Sequence, residues 1–226
     1  MTVVLVHGAY HGAWAWDGVV AALAERGIGS EAVELPFTGF ADDVAVAREA
    51  IVRAGGDAVV CGHSYGGSVI SAAARGLEVA HLVYLCAFMV DEEEPTIPLW
   101  FTRPVALHTA MAEVDGRFQI DLSKAAECFY GDADATVVDS ILPRLRSIPG
   151  TAGDPIDESA PAWRDTPSTY VVCNRDQAIH PDVQRIMARH ATNVVEWDTD
   201  HSPFVTRPAD VADLLAGIAE GRTAAD

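Results

Sequence analysis

Between an apolar run, Ala58 to Cys61, and a run of small residues, Gly66 to Arg75, stands the hexapeptide Gly62-His63-Ser64-Tyr65-Gly66-Gly67. The first run has the character of a buried strand and the second reads as a helix. A serine between them, with glycines two residues to either side, fits a sharp strand-to-helix turn. Such a turn strains the backbone of its central residue, and the glycines let strand and helix close on each other. The Ser64 hydroxyl then projects at a sheet edge, where the helix N-terminus favours developing negative charge. A Gly-rich turn with an incidental serine is the plain alternative, and the flanking strand and helix weigh against it.

The same alternation runs through most of the chain. Val3–His7, Glu31–Leu35, Ala58–Cys61 and His81–Phe88 read as strands, with helices predicted over Ala15–Glu25, Asp42–Ala54 and Gly66–Arg75 between them. The helix over Asp42–Ala54 opens with acidic residues, which suit the positive end of its dipole. After an irregular stretch come strand Ser168–Cys173, helix Asp182–His190, strand Val194–Trp197 and helix Pro208–Ala219. This pattern predicts an α/β fold, a mostly parallel sheet flanked by helices, with all strand C-termini on one edge. Residues 91–163 break the alternation with the acidic run Asp91-Glu92-Glu93-Glu94, scattered prolines and the loop Gly150–Pro155. Helical spacing at Leu122–Phe129 and Ala135–Leu145 predicts an inserted helical cap there, over a core of residues 1–90 and 164–226.

Composition removes several classes of function. Fifteen Lys and Arg against 33 Asp and Glu give a net charge of −18. That leaves no basic face for nucleic acid or an anionic membrane surface. No apolar stretch is long enough for a membrane span, and no basic n-region opens the chain. Cys61, Cys86, Cys128 and Cys173 are widely spaced and form no CxxC pair. They read as buried free thiols, which fits a reducing, cytoplasmic setting.

A serine hydroxyl needs a base, and the base needs a group to hold its tautomer. His201 follows the last predicted strand after Asp198-Thr199-Asp200, on the edge that also carries Ser64. Asp176 follows strand Ser168–Cys173 by three residues and reaches the same edge. Asp91 competes for the carboxylate role because it ends the preceding sheet strand. Asp198 and Asp200 are so near His201 that loop geometry is expected to turn them to solvent. Two N–H donors for a developing oxyanion are assigned to Tyr65, just after the serine, and to Ala9, in the loop His7-Gly8-Ala9-Tyr10-His11-Gly12. His7 and His11 stand four apart, but two glycines argue for a loop rather than a metal-binding helix, and no HExxH is present. His63 is expected to hydrogen-bond within the turn, and His180 to be a loop histidine. No dinucleotide or Walker pattern follows a strand, so no cofactor and no metal are expected.

With these residues in place, the chain resembles the plant methylesterase and hydroxynitrile lyase branch of the α/β-hydrolases and its bacterial relatives. The resemblance runs through Val3-Val4-Leu5-Val6-His7-Gly8-Ala9-Tyr10-His11-Gly12-Ala13-Trp14, Gly62 to Gly67, Leu85-Cys86-Ala87-Phe88-Met89-Val90-Asp91, Tyr170 to Asp176, and Asp200-His201-Ser202-Pro203-Phe204. It implies a Ser64, Asp176, His201 triad, an oxyanion hole of Ala9 and Tyr65, and action on small aromatic or apolar esters without a cofactor. It is compatible with a homodimer through apolar cap surface, which nothing in the composition demands. The cyanohydrin-cleaving members carry threonine where this chain has Gly8, and lysine where it has Ser202. Those departures favour the esterase.

The expected function is therefore a serine carboxylesterase working through an acyl-enzyme. Gly8, Trp100 and Phe129 are candidates for contact with the substrate, the last two as apolar walls or as cap core. Cyanohydrin, thioester or lactone cleavage on the same frame, and a small-molecule receptor with idle chemistry, are the alternatives. An acidic docking segment over Asp91–Glu94 is weighed against a solvated loop.

Overall fold

In the computed structural model, which describes residues 1–89, 91, 96–150 and 160–221, side-chain alternation along the first strand divides the core in two. In β1 (Thr2–Val6), Val3 and Leu5 join one apolar cluster while Val4 and Val6 join another, and all four are fully buried. A strand covered on both faces reads as a continuous apolar run. A 3₁₀ turn (Ala13–Trp16) leads into α1 (Asp17–Glu25), followed by β2 (Gly29–Val33), α2 (Phe40–Ala54), β3 (Val59–His63), α3 (Tyr65–Ala73) and β4 (His81–Leu85). Trp16, Val19 and Leu23 bury beside Leu5, while Ala47, Ala50 and Ile51 of α2 pack with Val60 and Ile70 on the opposite side.

Between β4 and the next sheet strand the chain runs through α4 (Thr96–Trp100), α5 (Ala106–Ala110), β5 (Met111–Val114), β6 (Arg117–Ile120), α6 (Leu122–Phe129), α7 (Ala135–Ile141) and β7 (Ile148–Pro149). Then come β8 (Ser168–Cys173), α8 (Pro181–Met187), β9 (Asn193–Trp197), α9 (Pro203–Thr206) and α10 (Pro208–Ala219). The spacing in the stretch between β4 and β8 predicts helices, but the stretch is not purely helical. β5, β6 and β7 form a three-stranded antiparallel sheet. Its first turn is Asp115-Gly116, with φ of 52° and 73°. Two positive values in succession suit an Asp-Gly hairpin turn. The acidic residues 92–94 and the loop beyond Gly150 lie outside the described residues. Asp91 lies within them and pairs with Arg164 at 2.9 Å.

The main sheet has six strands in the order β2-β1-β3-β4-β8-β9, every pair parallel. The chain steps from β1 to β2 on one side and returns to β3 on the other. Loops leaving β1 and β3 therefore emerge side by side at the switch point, where open α/β sheets hold their ligands. All four cysteines are buried free thiols. Among the described residues no helix is long and apolar enough to cross a membrane.

Candidate active site

Register assembles the site. Val6 of β1 pairs with Gly62 of β3, so His7-Gly8 and His63-Ser64 leave the sheet alongside each other. His63 pairs with Leu85, and Ser64 N–H donates to the Leu85 carbonyl at 3.3 Å. Ser64 has φ 51° and ψ −120°. A non-glycine residue in that region is strained, and such strain persists where the surroundings over-determine it. Here the surroundings are backbone: a Cβ on Gly62 would lie 2.5 Å from the Gly66 carbonyl oxygen, and one on Gly66 would lie 2.5 Å from that of Val6. The serine is 8% exposed.

Asp176 and His201 arrive from the neighbouring strands. Cys173 of β8 pairs with Trp197 of β9, and Arg175 N–H donates to the Thr199 carbonyl at 3.0 Å, which keeps the two loops in step. His201 Nδ1 lies 2.6 Å from Asp176 Oδ2. That oxygen also accepts from Gln184 Nε2 at 2.7 Å, and Oδ1 accepts from the N–H groups of Ala178 and Ile179 at 2.6 and 2.8 Å. Four donors converge on one buried carboxylate. Asp176 accepts from all of them, which makes His201 Nδ1 the protonated nitrogen and puts the lone pair on Nε2. Among the described residues no hydrogen bond joins Ser64 Oγ to His201. Such bonds are often long in unliganded sites and tighten around substrate.

The neighbouring histidine holds His201 from behind. His63 Nε2 donates to the His201 carbonyl at 2.9 Å, and the two rings lie 4.5 Å apart. Cys86 Sγ donates to the same carbonyl at 3.3 Å. The nitrogen and sulfur atoms of His63, Cys86 and His201 lie within 4.8 Å of one another, a cluster of metal-ligand type. The carbonyl already engages His63 Nε2 and Cys86 Sγ, which fits a brace for the His201 loop. Burial, with His201 and His11 nearby, holds the His63 pKa well below the usual value, so it is neutral.

The two assigned oxyanion donors are open. Among the described residues the N–H groups of Ala9 and Tyr65 have no acceptor, and Tyr65 is the first residue of α3, where helix N–H groups are unpaired. Tyr65 is anchored by its hydroxyl, which donates to Asp43 Oδ2 at 2.7 Å, while Phe37 N–H donates to Oδ1 at 2.9 Å. Asp43 lies in the first turn of α2, among the acidic residues that open this helix, and turns inward, fully buried. Ala9 is set by its preceding peptide. His7 Nδ1 lies 2.9 Å from the Gly8 carbonyl, and Leu35 N–H donates to His7 Nε2 at 3.0 Å. The Leu35 donor fixes the tautomer, with the proton on Nδ1. In a trans peptide C=O and N–H point in opposite directions, so holding the Gly8 oxygen aims the Ala9 N–H. Desolvation by burial lowers the His7 pKa to about 3, so the clamp is neutral.

Of the three residues expected to touch substrate, Phe129 and Trp100 flank the site. The Phe129 ring lies 5.8 Å from His201 and 5.5 Å from His11. Trp100 donates to the Ala178 carbonyl at 2.7 Å and packs 5.8 Å from Phe88, whose N–H donates to the Ser64 carbonyl. Gly8 acts through its missing side chain: a Cβ there would lie 2.7 Å from His63 Nδ1 and 2.8 Å from Ser64 Cβ. His180 caps α8, its Nδ1 accepting from Asp182 N–H at 3.1 Å.

One placement is corrected. Asp200 was expected at the surface and is buried, whereas Asp198 is exposed. Asp200 Oδ2 accepts from Asp132 N–H at 2.9 Å, and Asp132 Oδ2 accepts from Asp200 N–H at 3.0 Å. Asp200 Oδ1 accepts from Ser202 N–H at 2.9 Å. The carboxylate turns inward because two N–H groups, that of Ser202 in its own loop and that of Asp132 in the β4–β8 stretch, find their acceptors there. Gln184, Asp43 and Asp132 carry no sequence signal of this kind, since their partners lie in other elements.

A family model described as the alpha/beta hydrolase family matches residues 3–214. The chain belongs to this family. It is 28% identical over 240 residues to an alpha/beta hydrolase of Aspergillus novofumigatus, covering 96% of each. It is 27% identical over 248 residues to methylesterase 7 of Arabidopsis thaliana, covering 96% of this chain and 95% of that protein. In structure it is similar to a pyrethroid hydrolase from Sphingobium faniae, with a TM-score of 0.85 at 23% identity and 97% coverage of each chain.

Proposed function

We propose that this protein is a serine carboxylesterase for small esters with an aromatic or short-to-medium acyl group. Its methylesterase and pyrethroid hydrolase relatives support ester hydrolysis as the class of reaction. The observation that carries the reading is the 2.6 Å pair of Asp176 and His201 beside a strained Ser64, with the N–H groups of Ala9 and Tyr65 that have no acceptor among the described residues. Ser64 Oγ attacks the ester carbonyl as His201 Nε2 takes its proton. Asp176 steadies the imidazolium, and the N–H groups of Ala9 and Tyr65 receive the oxyanion. His201 returns the proton to the departing alcohol. Water, deprotonated by His201, then attacks the acyl-enzyme and releases the acid and Ser64.

Small substrates follow from the closure of the site. Ser64 and Trp100 are each 8% exposed and Phe129 is 2% exposed, which on this reading supports a narrow, apolar acyl site. On this reading residues 91–163 serve as a cap that supplies those walls. The lyase alternative is disfavoured at Gly8, where a threonine side chain would meet the His63 ring and Ser64. Hydrolysis of a p-nitrophenyl ester series by wild type, and its loss in Ser64→Ala, tests the assignment. Equal turnover by both would overturn it, and a profile that rises toward long chains would refute the narrow pocket.

A further inference from the structure

The loop that carries Ala9 has every carbonyl from Gly8 to Gly12 engaged. Gly8 O faces His7 Nδ1, and Ala9 O faces His11 Nδ1 at 2.8 Å. Tyr10 O accepts from Arg146 N–H at 2.8 Å, His11 O from the Arg146 guanidinium at 2.8 and 3.1 Å, and Gly12 O from Ala15 N–H at 3.0 Å. Arg146, in the stretch between β4 and β8, supplies two of these holds. The same stretch also reaches the loop through Tyr130, just past α6, whose hydroxyl lies 2.6 Å from His11 Nε2.

The chemistry of this chain of contacts has one direction. The Ala9 carbonyl can only accept, so His11 Nδ1 carries a proton. Burial lowers the His11 pKa to about 4, so its Nε2 is bare and accepts from the Tyr130 hydroxyl. The held carbonyl belongs to the Ala9–Tyr10 peptide, and Tyr10 sits at φ 66°. That strained conformation needs outside support, and a rotation of the peptide would relieve it. His7 fixes the peptide before Ala9 and His11 fixes the peptide after it.

We propose that Tyr130 and His11 form a positioning relay through which the β4–β8 stretch keeps the Ala9 N–H aimed at the reacting oxygen. The inference rests on the esterase reading. Neither residue is a catalytic residue; both act through the Ala9 backbone.

The test compares wild type, Tyr130→Phe, His11→Asn and the double variant. Two readouts are taken: kcat and KM on p-nitrophenyl butyrate, and the rate at which a fluorophosphonate labels Ser64. In labelling, Ser64 Oγ displaces fluoride at phosphorus while the phosphoryl oxygen occupies the oxyanion hole. Tyr130→Phe removes one hydroxyl and keeps the ring packing. It is expected to lower kcat at least about tenfold with KM within about twofold, and to slow labelling by a similar factor, because the lost interaction exists only as the oxyanion forms. The double variant is expected to be no worse than His11→Asn. Unchanged kcat and labelling in Tyr130→Phe, a loss confined to KM, or a double variant that multiplies the single losses would each overturn the relay. If His11→Asn does not fold, Tyr130→Phe alone decides. A wild type that labels at Ser64 yet hydrolyses no ester would defeat the esterase reading while the labelling ratio still judges the relay. A wild type that takes no label would defeat both.

Discussion

Gln184 Nε2 lies 2.7 Å from Asp176 Oδ2, the same oxygen that His201 Nδ1 meets at 2.6 Å. The glutamine is fully buried on α8, its second acceptor is the Ile179 carbonyl, and its own Oε1 accepts from Cys173 N–H at 2.9 Å. One side chain thus ties the end of β8, the Asp176 loop and the carboxylate together. Gln184→Leu would leave the Cys173 N–H and the Ile179 carbonyl unpaired in the core. An expected cost of about 2–4 kcal/mol in stability follows from two such groups. Folded protein should also lose about tenfold in kcat, because Asp176 loses a donor that orients it. Urea unfolding alongside kinetics checks both; unchanged kcat in folded variant would show that Asp176 is held well enough by its loop.

Gly66→Ala should not yield a native elbow. Its new methyl would sit 2.5 Å from the Val6 carbonyl oxygen and 2.8 Å from that of His7, and neither backbone atom can move without disturbing β1. Destabilisation above about 3 kcal/mol is expected, as for overpacked or strained backbone sites. A soluble Gly66→Ala protein with a wild-type thermal midpoint would contradict the geometry.

The Gly8→Thr, Ser202→Lys double substitution, which copies the cyanohydrin-cleaving members, should create no lyase here. The threonine would push the His63 ring away from the His201 carbonyl, and the lysine would have to enter a position that is fully buried. Ester hydrolysis should fall at least about a hundredfold with no cyanide released from mandelonitrile, an expectation scaled to the loss of one oxyanion donor. Cyanide release would show that the elbow can repack.

Stability should drop on mild acidification. His7, His11 and His63 are buried neutral, with pKa values lowered to about 3, about 4 and well below normal, desolvation being the largest cause in each. The unfolded chain takes up protons near pH 6.5, and the native state does not. The contribution is therefore complete above pH 6.5 and is lost as pH falls toward the native-state values. Each histidine costs up to about 1.4 kcal/mol per pH unit in that window. Asp43 and Asp200, raised by burial, act in the opposite sense. Chemical denaturation at pH 7.5 and pH 5.5 should show a falling midpoint, and a flat profile would mean these histidines protonate in the native state.

Where a feature was local, the sequence declared it. Leu122–Phe129, Ser168–Cys173 and Pro208–Ala219 form the predicted elements with the predicted bounds. The elbow was legible because strand, glycines and small-residue helix sit within one short segment. The hairpin at Asp115-Gly116 carried its turn signal, yet no residue of β5 or β6 is buried and the strands show no clean apolar alternation to reinforce it. Asp200 and Gln184 were opaque for another reason. Their carboxylate and amide groups satisfy N–H and oxygen partners on other elements, a tertiary bargain that residue spacing does not encode. The placement of Asp176 against His201 lies between these cases: chain order predicts it, but the four donors on its carboxylate emerge only in three dimensions.

The seams between the β4–β8 stretch and the rest of the chain carry a lesson for transplantation. Tyr130 meets His11, Arg146 holds Tyr10 and His11, and Asp132 exchanges N–H bonds with Asp200. A foreign insert grafted here would bring new walls, but it would also need a phenol, a guanidinium and a carboxylate at those three seams. On the esterase reading proposed above, diversification of the substrate range would fall on residues outside the seams, such as Trp100 and Phe129. The seam residues themselves behave as shared parts that a swapped module has to supply anew.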